Sequence, residues 1–145
     1  MRKKIAAVFL SAIALIIAPL ATNASATTQS GAVSLARSAC GSAYNVTVEV
    51  GDQGLPDRYY WHVLLYNPSN GYNCAVLVKD SGNSNYGSPS SMSVAIRAAG
   101  GSWHRDSGSY TTYAGPVYVH APSTCVYLNT KVPNHEWTSF ALGCN

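Results

Sequence analysis

Four histidines and six carboxylates are the side chains of this 145-residue sequence best suited to acid–base chemistry. His62, His104, His120 and His135 are the bases whose ordinary pKa lies near neutrality. His104-Arg105-Asp106-Ser107 sets His, Asp and Ser side by side. A catalytic triad needs its members to converge in space, whereas neighbours on an extended chain point apart. No G-x-S-x-G pattern occurs. Asp80-Ser81-Gly82 and Asp106-Ser107-Gly108 read as turns, because Asp and Ser bond nearby amides and Gly accepts positive φ. Glycoside hydrolysis requires two carboxylates facing each other across a sugar. Most of the six sit at expected turns, with Asp52 and Asp57 on one loop, and read as solvated loop charges. A phosphate-binding Gly loop, H-E-x-x-H and an EF-hand pattern are all missing. The expectation is therefore a non-enzymatic chain with no catalytic residue, no cofactor and no metal. A small hydrolase using His104 or His120 is the weakest reading.

The cysteines Cys40, Cys74, Cys125 and Cys144 offer a different chemistry. Zinc fails on spacing: there is no C-x-x-C and no His at ligand distance from a Cys. An even number in an exported chain reads as two disulfides, for which three connectivities exist. Cys40–Cys74 with Cys125–Cys144 is preferred because each closes a moderate loop, although spacing leaves the other two open. Each bond would contribute about 3–4 kcal/mol in the chain-entropy account, a large share for a small domain.

Export is read from the N-terminus. Arg2, Lys3 and Lys4 precede a 17-residue apolar run, Ile5–Ala21, and then Ala24-Ser25-Ala26. This is the order of a secretory signal peptide, residues 1–26. A membrane anchor is the rival, but the run is short for a bilayer, and Pro19 and the small-residue site favour cleavage after Ala26. Beyond residue 26 there are six basic and six acidic residues, so the net charge is zero, and no two cations are adjacent. Nucleic acid and anionic membrane are accordingly not expected as partners.

Aromatic density is the remaining anomaly, with ten Tyr, three Trp and one Phe beyond residue 26. Tyrosine has a flat apolar face and a polar tip, which suits sugar stacking or protein contacts. It also packs well on pleated strands, and that reading covers most of them. Trp103, beside Gly100-Gly101, together with Tyr60, Tyr66 and Tyr113, are the candidate binding aromatics. One contiguous exposed patch of these would mark a binding face.

The elements that must position these residues read as strands. Residues 27–38 are small and polar and suggest a flexible leader, with a short helix over Gly31–Arg37 as the alternative. The domain spans 39–145. Val46, Val48 and Val50 alternate onto one face. Tyr59–Tyr66 is apolar throughout and should be covered on both faces. Asn67-Pro68-Ser69-Asn70-Gly71 is a turn, and Tyr72–Lys79 is its return strand. Asp80–Ser90 is a loop, Ser91–Arg97 a strand facing inward through Met92, Val94 and Ile96, and Ser102–Gly108 a turn. Val117–His120, Thr124–Leu128 and His135–Leu142 are further strands. Short strands between Gly, Pro, Asn and Ser give an all-β fold, a small antiparallel β-sandwich or barrel with two disulfides.

Several runs carry a family resemblance: Cys40-Gly41-Ser42-Ala43-Tyr44; Leu65-Tyr66-Asn67 with Asn70-Gly71-Tyr72-Asn73-Cys74; Asp106 and Tyr113-Ala114-Gly115-Pro116-Val117-Tyr118-Val119; and the later Cys125 and Cys144. From Ala39 to its end the chain resembles the spore-associated proteins of Streptomyces and related actinobacteria. Gly51–Arg58 and Trp103-His104-Arg105 depart from that pattern. The resemblance implies a secreted protein found with aerial hyphae or spores. It supplies no enzymatic activity and no catalytic residue. The resulting expectation is a secreted spore- or cell-surface protein that binds wall polysaccharide or spore-surface proteins. The alternative is a secreted inhibitor of a protease or glycosidase, acting through Asp80–Ser90 or Gly100–Gly108.

Overall fold

The computed structural model describes residues 28–53 and 60–144. The expected signal peptide, 1–26, and most of the Gly51–Arg58 loop lie outside the described residues.

The chain opens with a helix, α1 (Gln29–Cys40). Thr28 caps it, its Oγ1 accepting from the Gly31 amide at 3.2 Å. Gly41, at φ 105°, ends it with its amide on the Arg37 carbonyl. The flexible leader expected over 27–38 is thus corrected to a docked helix. Its buried stripe is Ala32, Ala36 and Cys40, one residue every four, which is a helical face. Small side chains at those positions gave the stretch its unstructured look, yet they let the helix lie close against a sheet.

Two antiparallel four-stranded sheets follow. The first runs β1 (Val46–Asp52), β2 (Tyr60–Asn67), β3 (Tyr72–Lys79), β6 (Tyr113–His120) across its width. The second runs β5 (His104–Tyr110), β4 (Ser90–Ala98), β7 (Val126–Val132), β8 (His135–Thr138). Leu64, Leu77, Met92, Val94, Ile96, Val126 and Leu128 fill the space between them. Val63, Leu65, Cys74, Val76 and Val78 face the other way, beneath Ala32 and Ala36 of α1. The order of layers is helix, sheet, sheet. Strands β2 and β3 are covered on both faces, which is why their sequences run apolar without a break.

The Asn67–Gly71 turn forms as read, with the Gly71 amide 3.0 Å from the Asn67 carbonyl. Gly71 has φ 73°, and a Cβ there would lie 2.7 Å from Pro122 Cβ. Elsewhere local geometry departs from simple alternation. A register shift between Thr47 and Glu49 turns Val48 to the inter-sheet core and Val50 to the helix side, so the expected shared face of Val46, Val48 and Val50 is split. The turn expected over Ser102–Gly108 is mostly the edge strand β5, paired with β4 from Ser90↔Tyr110 to Ile96↔His104. An edge strand with one face in water needs few apolar residues. The last strand ends at Thr138, and the chain then rejoins β7 through the bridge Val126↔Leu142.

Both disulfides take the preferred pairing. Cys40–Cys74 ties the end of α1 to β3, and Cys125–Cys144 ties the last described residue to the start of β7. Lys79 is fully buried, and its Nζ donates to the carbonyls of Asn85 (3.1 Å), Ser88 (2.8 Å) and Tyr110 (3.0 Å). One ammonium therefore holds the 80–90 loop against the body. Burial pushes its pKa below the ordinary lysine value.

Candidate functional site

The four aromatics singled out from sequence do not form one patch. Tyr60 shares parity with Leu64 and points between the sheets, where it is 5% exposed. Tyr66 is half-buried on β2, opposite Val46 and Asn73. Tyr113 is half-buried and packs on the helix side of the first sheet. Trp103 is half-buried just before β5, with the Arg97 guanidinium 4.8 Å from its ring centroid. The contiguous patch that would have marked a binding face is not formed by these four, because pleating sends their rings to three different surfaces.

A different set of tyrosines does converge. Tyr44, Tyr72 and Tyr118 line a groove of ≈ 440 Å³ with Cys40 and Asn70. Tyr44 is held just past α1, its amide on the Gly41 carbonyl at 3.1 Å. Tyr72 opens β3. Tyr118 and His120 come from β6, in the register Cys74↔Tyr118 and Tyr72↔His120. The Tyr44 and Tyr118 centroids are 5.5 Å apart, and Tyr72 lies 4.9 Å from the His120 ring. Tyr118 Oη donates to the Cys40 carbonyl at 3.4 Å. Burial raises the Tyr44 pKa, and the neighbouring Tyr118 and Tyr72 add to it; burial alone raises that of Tyr118. Both phenols stay neutral and able to donate. Sequence did hold a pointer: Tyr44 lies four residues after Cys40 and Tyr72 two before Cys74, so the disulfide joining those cysteines draws the rings together.

The outer face of the second sheet forms a grid of side chains. One row holds Arg97 on β4 and Tyr127 on β7, with Trp103 beyond the start of β5. The next holds Arg105, Ala95, Asn129 and Thr138, and the third Ser107, Ser93, Lys131 and Glu136. Arg105 reaches across β4, donating to Ser93 Oγ at 2.8 Å and Asn129 Oδ1 at 3.0 Å. Asn129 Nδ2 donates to Glu136 Oε1 at 3.0 Å and Thr138 Oγ1 at 2.9 Å. The hydrogen bond from Asn129, then the nearby Lys131, hold the Glu136 carboxyl below its ordinary pKa.

The His104–Ser107 run is divided by the same pleat. Arg105 and Ser107 face outward. Asp106 turns to the inner side, accepting from Tyr110 Oη at 2.5 Å and the Gly115 amide at 2.7 Å. A second groove, of ≈ 680 Å³, lies between α1 and β1, and its Arg37 donates to the Asn45 carbonyl and Thr47 Oγ1. Among the described residues no three His, Cys, Asp or Glu side chains are grouped as a metal site would need.

No family model matches the sequence and no solved structure matches the chain. Spore-associated protein A of Streptomyces coelicolor is 32% identical over 133 residues, spanning 90% of this chain and 77% of that protein. A likeness of that identity and extent establishes that the chain belongs to the spore-associated protein family.

Proposed function

We propose that this spore-associated chain is a non-enzymatic surface protein that binds a wall polysaccharide through the tyrosine groove. The convergence of Tyr44, Tyr72 and Tyr118 from three separate segments carries the reading. A sugar ring presents C–H faces that stack on phenol rings and hydroxyls that pair with their polar tips. Tyr72 is 40% exposed, which leaves its ring available to a partner. Two disulfides and a spore-associated relative both suit an extracellular or surface location. The test is retention of the signal-free protein on purified wall and spore material. Retention is expected, with Tyr72→Ala and Tyr44→Ala each weakening it by about three- to tenfold, the value of a stacking contact. A protein that stays wholly in solution would remove the proposal.

One observation favours inhibition as a second reading: the 80–90 loop is pre-ordered. Besides Lys79, Asp80 Oδ1 accepts the Gly82 amide at 2.7 Å and Asn83 Oδ1 the Asn85 amide at 2.8 Å, and Tyr86 stands 43% exposed among them. A loop fixed in advance loses little entropy on entering a cleft. Assay against a panel of secreted proteases and glycosidases decides it, and no inhibition at micromolar protein would end it.

A further inference from the structure

Charge along the chain looks evenly dispersed, yet folding gathers it. Of the six cations beyond residue 26, Arg97, Arg105 and Lys131 all stand on the outer face of the second sheet, with Glu136 as the carboxylate of that face. Lys131 lies 3.6 Å from Glu136. Arg97 and Arg105 have no ion pair within 4.0 Å among the described residues. Arg97 is the more telling. Trp103 and Tyr127 hold its guanidinium at 4.8 and 5.2 Å from their centroids; its Nε–H is buried without an acceptor, so the Nη groups of this half-buried side chain are the part a ligand can reach. Ring contacts satisfy the faces of a guanidinium and leave its N–H edge for an acceptor in its own plane. By the register, Arg105 is the diagonal neighbour of Arg97, roughly 7–8 Å away across the two strands. Arg105 is an exposed residue even with its bonds to Ser93 and Asn129.

We propose that this face is a second binding site, separate from the tyrosine groove, and that it takes an acidic polysaccharide whose sugar carboxylates meet Arg97 and Arg105. Planar carboxylates match guanidinium edges. Exposed Thr138 and Ser107 in the adjoining rows offer hydroxyl groups to sugar hydroxyls, and buried Asn129 fixes Arg105, Glu136 and Thr138 in place. Trp103 and Tyr127 supply apolar surface for a pyranose ring, which a polyol-phosphate chain does not have. Three cations offset by one carboxylate are too few to hold a nucleic acid by phosphate neutralisation.

The test compares polygalacturonate with its fully methyl-esterified form, which keeps the sugar and removes the charge. Titration of the signal-free protein should show at least about tenfold preference for the free acid, declining as salt rises through 0.2 M. Arg97→Gln should cut that affinity by about fivefold or more, and Glu136→Gln should raise it by about twofold, a gain that misfolding cannot mimic. Tyr72→Ala should leave polygalacturonate binding unchanged. Equal affinity for acid and ester, or for the protein with and without Arg97→Gln, overturns the proposal. Binding of polyglycerol phosphate or DNA as tightly as polygalacturonate overturns it too, since the face would then be a general polyanion surface. A loss with Tyr72→Ala moves the acid to the groove and overturns this site while leaving the proposed function standing.

Discussion

His62 shows how much one residue can carry out of sight. It is 3% exposed between the sheets and stacks on Trp137 with centroids 4.3 Å apart. Its Nδ1 accepts from Gln53 Nε2 at 2.9 Å, and Gln53 Oε1 in turn accepts from Thr130 Oγ1 at 2.5 Å, a chain that links the two sheets. The ring proton therefore sits on Nε2, which has no hydrogen-bond partner and lies 4.0 Å from Glu49 Oε1. Gly51 backs the ring so closely that a Cβ there would sit 2.8 Å from it. Burial lowers the His62 pKa to about 4, opposed by the charge of Asp52. The unfolded chain takes up this proton near pH 6.5 and the folded chain only near 4, so this contribution to stability is complete above 6.5 and declines as pH falls through that window. The loss should be on the order of 3 kcal/mol in urea unfolding followed from pH 7.5 to 4. His62→Gln should flatten the slope between pH 6.5 and 5. Sequence marked His62 as a base in an apolar strand but gave no sign of Gln53 or Thr130, because their meeting depends on how two sheets face each other. Tyr60 was misjudged for the same reason: in a strand apolar on both sides, alternation alone does not say which side is outermost.

At the scale of elements, strands whose apolar residues alternate in sequence formed where alternation placed them, as β4 shows with Met92, Val94 and Ile96 inward. The hairpin of β2 and β3 was equally plain because its turn chemistry left one register. What escaped notice were elements whose buried face is small or whose exposed face is large. Helix α1 docks through Ala32 and Ala36, both 0% exposed, and β5 has six polar or glycine residues before Tyr110. Neither pattern resembles a hydrophobic period. The bulge in β1 was unreadable because one extra residue leaves the valine alternation intact while reversing its meaning in space. Close docking of α1 carries its own test. Ala36→Leu should push the helix off the first sheet and destabilise the protein by about 1–3 kcal/mol in thermal or urea unfolding. The same change at exposed Ser34 should be nearly neutral.

Across the whole molecule, the two disulfides do different work although the lengths of the loops they close, 34 and 19 residues, change the entropy term little. Each should contribute about 3–4 kcal/mol by restricting the unfolded chain. Replacing Cys40 and Cys74 by Ala should also weaken retention on wall material, because that bond forms a wall of the tyrosine groove. Replacing Cys125 and Cys144 should cost similar stability and leave retention intact. Denaturation and pull-down on the two double variants separate these effects. The fold class and the strongly alternating strands follow from local pattern, whereas the pairing is one of three that spacing allows and the folded chain selects it. Neither candidate binding surface is legible as a whole, since each is assembled from residues far apart in the chain that only register brings together, although Trp103 of the second stands out in the sequence. The dispersed cations are the clearest instance: no two are adjacent in sequence, yet three share one face of a sheet.

The helix that begins the described chain also acts as its varnish. Without residues 28–41, Val63, Leu65, Val76 and Val78 would lie bare on a flat slab, and Cys74 would be left a lone thiol beside them. Such a slab would stack on its own copies, and dissolved oxygen, taking two electrons and two protons from a pair of Cys74 thiols, would then solder them through sulfur. A chain produced without residues 28–41 should therefore clump, whereas one merely cut after Gly41 keeps its helix through Cys40–Cys74; in air the clumps of the former should loosen only when a reductant is added.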